Sequence, residues 1–409
     1  MWRPLPAYPL YCAYCLIVRG LRAAYWTAGV YFYISVVGLD PFRLVIVGTA
    51  LEVVILLGEV PTGIVADVYS RRLSVILGVA LMGAGFAFDG AVGAFWATLV
   101  AQLIWGLGAT FTSGALGAWI ADELGGRDLE RVYLRGAQYA SAGALLGIGV
   151  GVGLSYAGLA LTMILAGAAL VAFAGFLVAV MPERGFAPVA RGTRGLWPHF
   201  GATLRAGGGV VRGSGSLLAC VGLVVLWGMG SESFDRLWEV HLLGIGLPSM
   251  AGMTPVAWFG LVNAGGLLLS IGAAEVMRRR GALGAPRTLL RRLLVLTGLI
   301  TVGMLAFGAA RSFLAAVAAY WFTLLLRQLV PPLIDAWLVR QTPSAVRATV
   351  LSFVGQADAA GQIAGGPIFG WIASAHSTGL ALAAAGLSLL PGIPLLLRAL
   401  RADAPVTGD

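Results

Sequence analysis

Apolar runs of about 20 residues recur from one end of this chain to the other, each long enough to cross the roughly 30 Å hydrocarbon layer of a bilayer. Within that layer no water satisfies backbone N–H and C=O groups, so the runs are read as helices. They fall at approximately 9–37, 44–66, 74–94, 97–121, 133–155, 158–181, 217–243, 255–277, 293–310, 313–339, 349–373 and 379–398, which makes twelve spans. Composition points the same way. The chain is 59% hydrophobic and 11% charged, with a mean hydropathy of +0.89. Soluble domains carry about 25% charged residues, so a water-soluble globule is excluded. The first run extends far past the apolar region of a signal peptide and ends in no small-residue cleavage site, so it is expected to remain as a helix.

The net charge of +9 comes from 27 basic residues, every one an arginine, and nearly all lie in short connections between spans. With the N-terminus inside, the inner connections hold Arg71 and Arg72, then Arg127 and Arg131, then Arg184, Arg191, Arg194, Arg205 and Arg212. Arg278, Arg279, Arg280, Arg287, Arg291 and Arg292 follow, then Arg340 and Arg347, with Arg398 and Arg401 in the tail; the outer connections hold only Arg43 and Arg311. This bias orients the chain with both termini cytoplasmic, in the cell's inner (plasma) membrane. Charge spent on topology is not a groove for phosphate, so no nucleic-acid partner is expected.

Catalytic and metal signatures are absent. His199, His241 and His376 are widely separated, with no HExxH and no P-loop. Cys12 and Cys15, the "CAYC" of the first span, have no partner ligands in the sequence and read as small apolar residues. The chain is expected to be no enzyme and to use no cofactor or metal.

The longest connection, 182–216, is rich in Gly and Arg and divides the chain into a 1–181 bundle of six spans and a 217–409 bundle of six spans with a short tail. The halves resemble one another weakly. Span five opens "RGAQYASAGALLGIGVGVGL" and span eleven "RATVLSFVGQADAAGQIAGGPIFG", each a basic end followed by small residues that let helix backbones approach closely. Duplicated halves with a site between them are a common transporter plan.

Between spans two and three the chain reads "GIVADVYSRR". This resembles the loop of the major facilitator superfamily, G-x-x-x-D-[RK]-x-G-R-[RK]. Gly63, Asp67, Arg71 and Arg72 match, while Val68 replaces a basic residue and Ser70 a glycine. The resemblance covers essentially the whole chain. It implies an all-α integral membrane fold, twelve transmembrane helices in two pseudo-symmetric six-helix bundles around a central cavity. It also implies that Asp67 engages the inner end of helix eleven, helping to hold an inner gate shut, a sensible place for a carboxylate beside a helix N-terminus. Arg71 and Arg72 are left to anchor the loop at the anionic leaflet.

Ionisable residues inside spans are costly and by default functional. Arg19 and Arg22 share a face of span one, and Glu52 and Glu59 a face of span two. Span seven reads "GSESFDRLWEVHLL", with Glu232, Asp235, Arg236 and Glu239 along one stripe; Glu232 and Arg236 pair at i,i+4, leaving Asp235 and Glu239 for a partner or a proton. Span ten carries Arg327, Gln328 and Asp335, and span eleven Asp358. The structural alternative pairs Arg19 or Arg22 with Asp235, and Arg327 with Asp335 or Asp358. Asp235 leads as proton carrier because it has no cation one turn away, and Glu52 comes second, with Glu59, Glu232, Glu239 and Asp358 in the same pool. Aromatics interleave with these charges: Tyr25, Trp26, Trp105, Trp227, Phe234, Trp238, Trp321 and Trp337. They read as packing, as an interfacial belt, or as faces for a cationic solute.

The resemblance places helices one, four, seven and ten around the cavity. Arg19, Arg22, Trp26, Gln102, Trp105, Trp227, Phe234, Arg236, Trp238, Arg327, Gln328 and Asp335 are then the expected substrate contacts. Proton-antiport branches carry an arginine in span four where this chain has Gln102, and a glycine–proline signature in span five that it lacks. The expected function is a secondary transporter with a small-molecule substrate and protons as coupling ion, a monomer in the lipid bilayer. The leading reading is export of a lipophilic compound such as an antibiotic. A nutrient symporter of the same fold is the alternative, and a membrane-embedded enzyme or receptor stands further off.

Overall fold

The structure, a computed structural model, describes residues 4–188, 205, 207–280, 285–342 and 346–402. Residues 189–204 of the expected 182–216 connection, with Arg191, Arg194 and His199, lie outside them, as do residues 403–409 and the side chains of Arg278, Arg279 and Arg280.

Every expected span is helical. The first half comprises α1 (Ala7–Ser35), α2 (Pro41–Val68), α3 (Arg71–Val92), α4 (Phe95–Thr112), α5 (Ala115–Glu123), α6 (Leu129–Ser155) and α7 (Leu159–Val180). The second comprises α8 (Gly215–Ile245), α9 (Pro255–Arg280), α10 (Pro286–Ala309), α11 (Phe313–Gln341), α12 (Arg347–Ala375), α13 (Thr378–Leu387) and α14 (Gly392–Ala402). α4 and α5 are one span interrupted at Gly114 (φ 70°), a backbone conformation that glycine adopts without strain. α13 and α14 likewise share one span. Ten spans are both long and apolar enough to cross a membrane. α1 and α12, each 29 residues, are long enough but diluted by polar residues, Arg19 and Arg22 in one, Gln356, Asp358 and Gln362 in the other.

The described chain divides into two compact units. The first is Met1–Leu39, Ala50–Leu196 and Met250–Leu267; the second is Asp40–Thr49, Trp197–Ser249 and Leu268–Asp409. In the first, α1 packs on α6 and α7, and α3 on α4 and α7. In the second, α8 packs on α12, α13 and α14, and α10 on α11, α13 and α14. The pairing order is the same in both, which is the structural counterpart of the weak sequence repeat.

Small residues explain the tightest of these pairings. Cβ atoms at Gly143, Gly147 and Gly151 of α6 would run into the carbonyls of Leu16, Gly20 and Ala24 on α1. The interleaved Gly149 and Gly153 face open space. In the second unit, Gly361 and Gly365 of α12 lie against the carbonyls of Val225 and Met229 on α8. Each is a close backbone approach of the kind that stabilises helix pairs in lipid through contact rather than through hydrophobic burial.

Candidate functional site

The second unit encloses a cavity of about 730 Å³, lined among others by Trp227, Ser231, Asp235, Arg327, Asp335 and Asp358. Three helices build it. α8 supplies Trp227, Ser231 and Asp235 at successive turns of one face, α11 supplies Arg327 and Asp335, and α12 supplies Asp358 and Gln362. Arg327 donates from Nη1 and Nη2 to the two oxygens of Asp235 at 2.7 and 2.8 Å, the two-pronged geometry that suits guanidinium and carboxylate. Arg327 is 16% exposed and Asp235 54%, so the arginine is fixed and the carboxylate remains reachable. The guanidinium also lies 4.7 Å from the centre of the Phe234 ring, which is stacked on Tyr320. This corrects the sequence expectation. Within the second unit Arg327 is held by Asp235, where the sequence reading pairs it with Asp335 or Asp358.

The other carboxylates of the cavity differ in their surroundings. Asp358 accepts a hydrogen bond from Gln362 Nε2 at 2.9 Å, while Asp335 stands exposed on α11. Pro331 and Pro332 lie inside α11, and Pro331 lines the cavity. Lacking N–H groups, they remove the helical donors that would reach the carbonyls of Arg327 and Gln328. The cavity thus presents three carboxylates with its arginine already engaged.

Behind the cavity, Glu232 and Arg236 form a buried pair at 2.9 Å. The pair fills the space a side chain at residue 48 would need, which is why Gly48 is a glycine. Glu239 is buried with Oε2 unpartnered, and Trp238 stacks on Tyr320 at 4.9 Å between ring centres. Gln328 is exposed and Trp337 fully buried. His241 bonds the Phe307 carbonyl at 2.8 Å and Thr378 at 3.2 Å, a packing role.

In the first unit, Arg22 lies with its guanidinium 5.3 Å from the Trp105 ring centre, and Trp105 meets Trp26 edge-on at 5.9 Å; Arg19 is exposed. Glu52 is half-buried and Glu59 exposed on α2. Gln102 is fully buried and donates to the Tyr33 hydroxyl at 3.1 Å. That hydroxyl belongs to a cluster around Asp89 of α3, which the sequence reading overlooked. The signal was present: "FAFDGA" places an acid inside a span, the same anomaly that drew attention to spans seven, ten and eleven.

The "GIVADVYSRR" loop is fastened within its own unit. Arg71, 17% exposed, forms an ion pair with Asp122 of α5 and donates to the Ala118 carbonyl at 3.0 Å. Ser70 Oγ and the Arg72 amide donate to Glu183 at 2.7 and 2.9 Å, and Arg72 Nη2 donates to the Val178 carbonyl at 2.5 Å. Glu123 accepts from the amides of Arg184 and Gly185. The arginines therefore clasp α5 and the end of α7. Asp67 is the exception, 55% exposed, with Arg71 at 3.6 Å. A side chain at Gly63 would meet nothing within 4 Å.

Among the described residues no group of three or more His, Cys, Asp or Glu side chains is placed to hold a metal ion. Cys12, Cys15 and Cys220 are free.

No protein-family model and no curated protein sequence matches the chain. Solved structures do. A nucleoside transporter, NupG, superposes with a TM-score of 0.77 at 12% identity, over 97% of this chain and 99% of that one. The chain has the major facilitator fold. A POT family transporter in complex with 5-aminolevulinic acid gives 0.73 at 13% identity, over 97% and 96% of the two chains. A peptide transporter POT in complex with sulfate gives 0.70 at 16%, over 97% and 94%. The major facilitator fold and the apolar helices make the chain a multi-pass membrane protein.

Proposed function

We propose that this protein is a secondary transporter working by alternating access, and that it takes up a small hydrophilic solute bearing an amine or other cationic group. The cavity of the second unit carries the reading. Asp235, Asp335 and Asp358 outnumber Arg327, and Arg327 is already held by Asp235. A lipophilic solute would strip water from these groups and give nothing back, at a cost of about 2–7 kcal/mol for each polar group left unpaired. A cationic solute satisfies them, and Trp227 offers it an aromatic face.

Similar folds belong to proteins described as transporters of peptides and nucleosides, and one is bound to 5-aminolevulinic acid. Those are polar solutes, which favours the uptake alternative over export of a lipophilic drug. The antiport signature is also incomplete, with Gln102 bonded to Tyr33 where an arginine would stand. Protons are the proposed coupling ion, the membrane the plasma membrane, both termini cytoplasmic and the working unit a monomer. Asp67 and Gly63 are the proposed gate elements.

The test is uptake and counterflow in proteoliposomes, with and without a pH gradient, using matched amines, neutral isosteres and lipophilic antibiotics. Accumulation of an amine, lost in Asp335→Asn and Asp358→Asn, is expected. Gradient-driven movement of the antibiotics alone would restore the export reading.

A further inference from the structure

The buried polar cluster of the first unit can be read by counting its hydrogens. Asp89 is fully buried. The hydroxyl oxygens of Tyr25 and Tyr33 each lie 2.5 Å from Asp89 Oδ2 and 2.7 Å from one another. Thr98 Oγ1 donates to Asp89 Oδ1 at 2.8 Å, and Gln102 Nε2 donates to the Tyr33 hydroxyl at 3.1 Å.

Two oxygens at about 2.5–2.7 Å are hydrogen-bonded, and a hydrogen must lie between them. The Tyr25, Tyr33 and Asp89 Oδ2 oxygens make a triangle with three such sides. The two phenols supply two hydrogens. Thr98 spends its hydrogen on the other carboxylate oxygen, and Gln102 points its own at Tyr33 from outside the triangle. The third hydrogen has one source left. We propose that Asp89 is a proton-binding site, carrying a proton on Oδ2 that closes a ring with the hydroxyls of Tyr25 and Tyr33.

The groups around the ring fit that state. α1 contributes the two phenols; its Arg22 is turned onto Trp105 and its Arg19 is exposed. α4 contributes Thr98 and Gln102, which do not titrate, and α7 carries no ionisable residue. α5 meets α3 at the end where Asp122 holds Arg71. Among the described residues, therefore, no cation on these helices faces Asp89 to replace the proton.

The frame also has room for the bare carboxylate. Thr98 goes on donating to Oδ1, both phenols can turn their hydrogens onto Oδ2, and Gln102 Nε2 keeps donating to the Tyr33 oxygen. On release the Oδ2–H bond breaks, the proton passes to water and the charge stays on Asp89. The Tyr25–Tyr33 side then lacks a hydrogen, and the two hydroxyls part. They sit two turns apart on α1, so proton occupancy sets the grip of α1 on α3.

Infrared difference spectra of the full-length protein in lipid nanodiscs, recorded across pH without any solute, test this. Wild type should show the carbonyl band of a protonated carboxyl that shifts in D2O and disappears as pH rises while the protein stays folded. Asp89→Asn places an N–H where the proton sat, so it should fold and lack the band. Tyr33→Phe removes one side of the ring and should displace the pH at which the band is lost. The site is overturned if no band is lost in Asp89→Asn, or if the band persists unchanged until the protein unfolds. If Asp89→Asn does not fold, Tyr25→Phe and Tyr33→Phe read the same band, and its indifference to both overturns the ring. Since no solute is present, failure of amine uptake leaves this result standing, and the reverse also holds.

Discussion

At the scale of single residues, the two ion pairs of α8 differ in burial and so in what they do. Glu232 and Arg236 are sealed behind the cavity wall, where removing one partner strands a charge. Losing one member of a buried pair costs about 3–5 kcal/mol, so Arg236→Leu should lower the thermal unfolding temperature sharply and Glu232→Gln less, since the amide still accepts from Arg236. Unfolding followed by tryptophan fluorescence in detergent checks this; equal and small effects would show the pair to be hydrated. The Asp235–Arg327 pair opens onto the cavity instead. Arg327→Lys keeps the charge but loses the two-pronged contact, and should weaken solute binding about tenfold, the worth of one charge-assisted hydrogen bond, with little loss of stability. The Glu232–Arg236 pairing was legible in the sequence because four residues separate the partners on one helix. Asp235 and Arg327 lie 92 residues apart, and no local pattern connects them.

At the scale of helices, the glycines of α6 show how finely the packing discriminates. Gly147 and Gly149 are two residues apart in a stretch whose sequence treats them alike, yet one meets the α1 backbone and the other nothing. Gly147→Ala should reduce the yield of monodisperse protein, because a carbonyl cannot move aside and overpacking costs about 1–3 kcal/mol. Gly149→Ala should be neutral or stabilising by up to about 1 kcal/mol through helix propensity. Size-exclusion profiles after mild heating separate the two, and equal behaviour would mean that α1 and α6 do not pack this way. The sequence indicated a packing surface through its run of small residues. Which face of α6 met the neighbour depended on helix rotation, which a glycine at every second position leaves undetermined. The fastening of the "GIVADVYSRR" loop was hidden for a similar reason. Asp122, Glu123 and Glu183 each look like ordinary connection charges until folding brings them to Arg71, Arg72 and Arg184.

At the scale of the whole molecule, all twelve expected spans are helical among the described residues, and ten of them are long and apolar enough to cross a bilayer, which leaves helices as the only open-chain solution. The repeated pairing order of the two units was faint in the sequence because lipid-facing positions tolerate almost any apolar residue. Orientation rests on the arginine distribution. In a variant without its native cysteines, Gly213→Cys, exposed before α8, should react with impermeant thiol reagents only from the cytoplasmic side. Labelling in intact cells would invert the topology and displace the proposed gate.

The paired prolines of α11 have a mechanical consequence. A helix resists bending through its ladder of amide donors, and two consecutive rungs are missing beneath Arg327 and Gln328. α11 is therefore stiff on either side and compliant at one level, like a beam with a notch. Arg327 sits above the notch and Asp335 below it, so flexing there changes the separation of a cation and a carboxylate while both flanking segments stay intact.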